Sequence, residues 1–356
     1  MAKWFAFSFL MIISLGTISC KKNGEQVNYQ ATPYTLPQLS SLPIYPLPQN
    51  NPLTVEGISL GRKLFYDPIL SKDSTISCAS CHNLSHAFTD NGKKFSEGVN
   101  GRIGNRNSMP IFNLMWAESF FWDGRAPSLH HQALMPIEDT NEMAETLENV
   151  LNKLGKSSMY LEDFKKAFGT DVITTERLGL AIEQFMVTVV SGNSKFDRFM
   201  MGQETLTPEE QRGFALFNGI SDSAKGTKGA ECFHCHGTSL FTINQFANNG
   251  LDSVFADPGL AAITGNQNDM GKFKVPSLRN VAVSGPYMHD GRFQTLLEVV
   301  EFYNSQVKHS STIDPNMHAM QSGLKLNQQE ISDLIAYLNT LTDDEFLVNP
   351  DYQNPF

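Results

Sequence analysis

Cys-x-x-Cys-His occurs twice in the chain, at Cys78–Cys81–His82 and at Cys232–Cys235–His236. Three chemistries use cysteines at this spacing. A zinc site draws two pairs together, usually from much closer in sequence, and leaves the His after each pair without a role. A thioredoxin-type couple follows a strand, whereas "SKDSTI" (71–76) and "KGTKGA" (225–230) read as loops. A c-type heme uses every residue: the thiols add to two vinyl groups and the adjoining imidazole binds iron from below the ring. Two copies then mean two covalent hemes, with His82 and His236 as proximal ligands. His86 falls within a turn of His82 on the same side of the ring and cannot also ligate, and His234 points away from the iron. Both read as surface residues.

Positioning these groups requires helices, and the helices come in duplicate. "GRKLFYD" from Gly61 and "GFALFNG" from Gly213 precede the two motifs, the second opened by Thr207 as cap and Pro208 in the first helical position. "FWDGRAPSL" ending at Leu129 and "MHDGRFQTL" ending at Leu296 follow them. Ile331, Leu334, Ile335, Leu338 and Leu341 stand at helical spacing in the last helix, as packing on a cofactor requires. The expected fold is all-α: two tandem cytochrome c-like heme domains related by internal duplication. Laid out without gaps from the Asp-Gly-Arg onward, Trp122 matches His289, Gln132 matches Val299 and Pro136 matches Tyr303. Proline has no ligating atom. If that position overhangs the distal face, the second iron is capped and the first is open to small molecules.

The flanks and the bulk charge narrow the setting. Residues 1–20 hold one Lys, an apolar run too short to span a bilayer, then small residues, the layout of a secretory leader. The leader ends on Cys20, which resembles the acylated cysteine of a bacterial lipoprotein; simple cleavage nearby is the alternative. Residues 21–50 are rich in Pro, Gln and Asn and read as a tether. Domains are expected at 51–204 and 205–345, with a tail at 346–356. The protein is expected to be exported, as a periplasmic or cell-surface lipoprotein of a Gram-negative-type bacterium with a membrane contact through its lipid. A net charge of −10 leaves no basic surface for nucleic acid and favours a basic partner.

"CASCH", "RIGNRN", "FFWDGRA", "ECFHCHG", "KVPSLRN" and "GPYMHDGRF", in this order over residues 50–345, resemble the bacterial di-heme cytochrome c peroxidases, including the MauG branch. The resemblance implies that the first heme reduces hydrogen peroxide, with Gln132 and Glu142 in its distal pocket. A carboxylate there can take a proton from peroxide and return it to the departing oxygen. Sequence alone would read Glu142 as one of a solvated acidic run and Gln132 as a surface helix residue. The resemblance also implies that Trp122 lies between the hemes. Asn107, Ser284 and Pro286 match a calcium site between the domains, the last two through backbone oxygens.

Two positions depart from the best-known members. Many carry a His in the loop before "RN" that closes the first heme; here the position is Val99, which cannot bind iron. The usual distal Met of the second heme falls at Tyr303, as in the MauG branch, with Met288, Met317 and Met320 as alternatives and core packing as the plain reading of Tyr303. A phenolate favours ferric iron and a thioether ferrous iron. His289 is expected as a hydrogen-bonding partner near the second heme, and His130, His131, His309 and His318 as solvated residues. The leading expectation is a cytochrome c peroxidase fed by a small cytochrome c or a copper protein. Members of the family often form homodimers, although no separate dimer signature stands in this sequence. A MauG-like oxidase acting at long range on a partner protein, and a di-heme electron carrier without chemistry, are the other two expectations.

Overall fold

The computed structural model describes residues 1, 29–90, 92–221, 224, 227–317 and 323–356. The expected leader with Cys20, and also His318 and Met320, lie outside the described residues. Helices α1 (Val55–Tyr66), α2 (Cys78–Cys81), α3 (Leu129–Glu138), α4 (Leu147–Gly155), α5 (Ser158–Phe168), α6 (Thr175–Thr188) and α7 (Lys195–Met200) build the first half. The second half holds α8 (Pro208–Asn218), α9 (Phe233–His236), α10 (Ala261–Thr264), α11 (Leu296–Ser305) and α12 (Gln328–Asn339). Strands β1 (Phe246–Ala247) and β2 (Phe273–Lys274) form one short antiparallel pair. The architecture is the expected helical tandem.

The duplication is visible in the packing. In the first half α1 crosses α6, and in the second α8 crosses α12. Each crossing is tightened by a glycine: a Cβ on Gly61 would overlap the Ala181 carbonyl, and one on Gly213 the Asp333 carbonyl. Only glycine lets the backbones approach this closely. Beside each glycine an aromatic pair locks the crossing, Phe65 on Phe185 at 5.4 Å and Phe217 on Tyr337 at 5.1 Å. Thr207 caps α8 by accepting from the Glu210 amide, with Pro208 in the first turn, as its sequence predicts. Ile331, Leu334, Leu338 and Leu341 are buried in the second core, with Ile335 packed partly against it.

Helices α3 and α11 have the same length and the same offset at both ends, Leu129 to Leu296 and Glu138 to Ser305. The gapless pairing therefore holds through these helices. Just before them Phe121 and Met288, also paired, both adopt the left-handed backbone, at φ 67° and 73°. Non-glycine residues rarely do so, and both halves keep the same turn.

Both flanks are packed in the structure. From Thr32 onward the expected tether is packed: Val55 N–H donates to the Thr32 carbonyl and Tyr34 N–H to the Leu53 carbonyl, at 2.9 Å each. Farther on, Leu42 is buried with Val190 and Leu240, and Tyr45 meets Trp116 edge-on at 5.3 Å. The segment thus touches residues of both halves. The tail is packed as well. Phe346 and Tyr352 belong to the first core, and the Tyr352 hydroxyl donates to the Thr188 carbonyl at 2.9 Å. Apolar side chains spaced among prolines find partners far away in sequence, which local periodicity does not reveal.

Candidate heme sites and the residues between them

Each Cys-x-x-Cys-His forms one short helical turn, α2 and α9. In both, the ring nitrogen Nδ1 of the histidine donates to a carbonyl a few residues on, His82 to Phe88 at 2.7 Å and His236 to Phe241 at 3.0 Å. A carbonyl can only accept, so Nδ1 carries the proton and Nε2 is presented as the ligating atom. Burial lowers both imidazole pKa values, His236 to about 4, which keeps the ligating, neutral form at ordinary pH. Ser108 adds a partner in the first half only: its Oγ donates to the Cys81 carbonyl at 3.0 Å and lies 3.3 Å from His82 Nδ1.

The four thiols are unpaired with one another. Burial pushes Cys78 and Cys232 up to about 12 and Cys81 and Cys235 up to about 11. Redox-active and zinc-binding cysteines need the opposite, a depressed pKa that favours thiolate. Among the described residues no group of three His, Cys, Asp or Glu converges to hold a metal ion. The zinc alternative thus lacks a converging ligand set among the described residues.

A heme fits what remains. Cys232, Cys235 and His236 open into an apolar cavity walled by Val275, Val281, Leu296, Val300, Leu334 and Leu338. Tyr303, Met288 and Met317 reach the same cavity. Asn249 donates through Nδ2 to the Tyr303 hydroxyl at 3.1 Å. Burial pushes the Tyr303 phenol up to about 12, with the Asn249 hydrogen bond pulling the other way.

At the first site α3 carries Gln132, whose Oε1 is buried without a hydrogen-bond partner. A polar atom left so is expensive unless a group outside the polypeptide satisfies it. Glu142 follows in the turn after α3. Burial, helped by the charge of Asp139 and opposed by Arg125, pushes its carboxyl up to about 7. Its charge acts on both Cys78 and Cys81, which brings it near the first motif. The Val99 side chain is buried, and its amide donates to the Glu142 carbonyl at 2.8 Å. Pro136 stands in α3 where α11 has Tyr303.

Trp122 is buried, lines the second cavity, and donates from Nε1 to the Asn107 carbonyl at 2.8 Å. Asn107, Ser284 and Pro286 line that cavity together. Asn107 Nδ2 is spent on the carbonyls of Lys93 and Lys94, at 3.2 and 3.1 Å. His289 stacks on Phe273 with ring centres 3.7 Å apart.

Among the other histidines, His131 and His309 are exposed, but His130 is not the solvated residue expected. Its Nδ1 lies 3.3 Å from the buried Glu183 carboxylate, which Asn51 also holds at 2.7 Å. His86 bonds locally to Ser85, and His234 stands against Glu231 at the cavity edge.

The family model described as di-haem cytochrome c peroxidase matches residues 55–205, and the cytochrome c model matches residues 210–342. Cytochrome c551 peroxidase of Nitrosomonas europaea is 36% identical over 323 residues, 88% of this chain and 86% of that one. The chain belongs to the di-heme cytochrome c peroxidase family. A second relative in the family, methylamine utilization protein MauG of Methylorubrum extorquens, is 36% identical over 305 residues, 83% of this chain and 81% of its own. Among solved structures, a MauG-like protein associated with microbial copper homeostasis superposes with a TM-score of 0.81 at 31% identity, covering 90% of this chain and 99% of that one. The diheme peroxidase BthA from Burkholderia thailandensis, at 23% identity and TM-score 0.70 over 85% of this chain and 91% of its own, shares the fold. Membership makes this chain a peroxidase-type oxidoreductase with two c-type hemes.

Sequence reasoning missed Ser108, Asn249, Asp90 and Lys274. Asp90 is buried with Oδ2 unpartnered, and burial lowers the Lys274 ammonium to about 8. Each is a polar residue in irregular backbone or a two-residue strand, where no periodicity marks the inner face.

Proposed function

We propose that this protein reduces hydrogen peroxide to water at the first heme site, using two electrons that arrive through the second from a small exported redox protein. The observation that carries the reading is the unequal equipment of the two halves. The first has Gln132 with an unpartnered buried oxygen and Glu142 poised near neutrality, beside thiols that would hold the cofactor. The second has a phenol lining the cavity at the place of Pro136.

Cys78, Cys81 and His82 would hold one heme, and Cys232, Cys235 and His236 the other. When bound, the iron at the first site supplies the redox centre for splitting the O–O bond. Glu142, as carboxylate, accepts a proton from the peroxide oxygen nearer the metal and returns it to the departing oxygen, which leaves as water. Gln132 orients the peroxide by hydrogen bonding. Two further protons from solvent and two electrons complete the balance, giving two waters. Trp122, between the sites, shortens the insulating gap for those electrons. The buried apolar side chain of Val99 leaves the first site without a closing ligand. Calcium is proposed at Asn107, Ser284 and Pro286: with Nδ2 occupied, Asn107 has Oδ1 left to offer a hard cation. Export, and acylation at Cys20, stay part of the proposal.

The test is steady-state peroxide reduction with reduced cytochrome c as donor, comparing fully oxidised protein with protein reduced at one heme. Equal turnover without a lag is expected. Turnover only after reduction would mean that some other residue closes the first site. Tyr303 favours a second reading, long-range oxidation of a partner protein, as expected of a MauG-like member of the family. Peroxide consumption without donor oxidation in either sample would select it.

A further inference from the structure

Asn249 sits where two chemically different side chains, a phenol and a thioether, meet. Its Oδ1 accepts from the Leu251 amide at 3.2 Å, which fixes the amide orientation and turns the NH₂ group toward the second heme cavity. There Nδ2 donates to Tyr303 Oη at 3.1 Å and lies 3.5 Å from Met288 Sδ. Tyr303 comes from α11, whereas Met288 comes from the turn before it, held at φ 73°. A single short side chain therefore holds a hard oxygen donor and a soft sulfur donor at once.

We infer that Asn249 is a positioning residue that selects the distal ligand of the second heme, fastening the Tyr303 oxygen toward the iron and holding the Met288 sulfur back. The inference rests on the reading of Tyr303 as that ligand. A hydrogen bond donated to a phenolate stabilises its negative charge, more strongly than a neutral pair would. A thioether is a weak acceptor, so the contact to Met288 restrains its position at little energetic expense. Without the amide, the phenolate loses its donor and the flexible methionine is released within the same cavity. Phenolate ligation favours ferric iron and thioether ligation ferrous iron, so the choice fixes whether the second heme is a good electron acceptor. The first half has no equivalent need, since Pro136 replaces the tyrosine.

The experiment uses the holoprotein and four variants: Asn249→Leu, Asn249→Asp, Tyr303→Phe, and Asn249→Leu combined with Met288→Leu. Ferric electronic, near-infrared magnetic circular dichroism and electron paramagnetic resonance spectra are recorded, with a potentiometric titration of each heme. Asn249→Leu and Asn249→Asp should each weaken the tyrosinate signature. Asn249→Leu should bring in a sulfur-to-iron charge-transfer band and a more positive potential at the second heme alone. The double variant should lose that sulfur band. Wild-type spectra and potential in both Asn249 variants would overturn the inference while leaving Tyr303 as ligand. An unchanged ferric spectrum in Tyr303→Phe would instead overturn the ligand reading, and the inference with it.

Discussion

Trp122 and His289, which occupy equivalent positions in the two halves, are joined through a single residue. The Trp122 indole N–H donates to the Asn107 carbonyl, and the Asn107 amide donates to the His289 carbonyl, each at 2.8 Å. Equivalent positions of the two halves thus form the two ends of one bridge. The bridge runs beside β2, where the Lys274 amide donates to the Trp122 carbonyl at 2.8 Å.

Replacing Trp122 with Phe should separate electron delivery from peroxide chemistry. The phenyl ring keeps apolar bulk but leaves the Asn107 carbonyl without its donor, a loss of about 1–3 kcal/mol in stability. Electron transfer from the second site to the first should slow by about tenfold, equivalent to roughly 1.4 kcal/mol of barrier. Rapid mixing of half-reduced protein with peroxide checks this, because the first encounter with peroxide should keep its wild-type rate. Equal slowing of both phases would assign Trp122 to packing alone.

Gly61→Ala and Gly213→Ala should each damage one half. The added methyl meets a backbone carbonyl of the facing helix in both cases, which cannot swing aside. Overpacking of this kind destabilises by about 1–3 kcal/mol. The unfolding temperature should fall in both variants, and histidine–iron ligation, read from the visible spectrum, should be lost earlier at the first site for Gly61→Ala and at the second for Gly213→Ala. Loss confined to the opposite site would contradict the pairing of helices.

What could be read in the sequence follows from this repetition. The heme motifs are local, so Cys78 to His82 and Cys232 to His236 announce themselves. Pro136 and Tyr303 were legible as partners because both are counted from an Asp-Gly-Arg, and the equal lengths of α3 and α11 keep that count in register. Leu42, Phe346 and Tyr352 were not legible, because each is a single apolar residue in an irregular segment whose partner lies in a distant element. Glu183 and His130 show the same limit for polar groups: a buried carboxylate looks like any helical Glu until the residues that satisfy it are seen.

Asp197 and Arg279 make a buried, two-point ion pair, at 2.7 and 2.8 Å, that ties α7 to the second half. Burial alone would raise the Asp197 carboxyl, but hydrogen bonds and charge from Arg279 outweigh it and hold the pKa below the ordinary value of 3.8. A depressed folded-state pKa gives stability that is present above the unfolded value and lost as pH falls through the folded one. Unfolding should therefore become easier below about pH 4. Asp197→Asn should lose about 3–5 kcal/mol at neutral pH, because Arg279 stays buried without its partner. It should also show less of the acid-induced decline than wild type. A neutral-pH stability equal to wild type would mean that the Ser239 carbonyl, which also accepts from Arg279, suffices to hold the guanidinium.

Glu142 offers the sharpest separation of activity from stability, since the two should move in opposite directions. Its folded pKa of about 7 lies above the ordinary 4.5, chiefly through burial. The folded protein therefore prefers the neutral acid, and wild type loses stability as pH rises from about 4.5 to 7, by up to about 3 kcal/mol. Glu142→Gln, neutral throughout, escapes that loss. Its stability should match wild type at pH 4 and exceed it at pH 8, as measured by thermal unfolding of the holoprotein. Turnover should show the reverse. Wild-type activity needs the carboxylate to take the first proton, so it should fall as pH drops below about 7, and Glu142→Gln should lose roughly 10²–10⁴-fold at all pH values. A variant that is both more stable at pH 8 and inactive identifies a residue kept for chemistry. One that retains turnover would return Glu142 to the role of a buried acid with no part in the reaction.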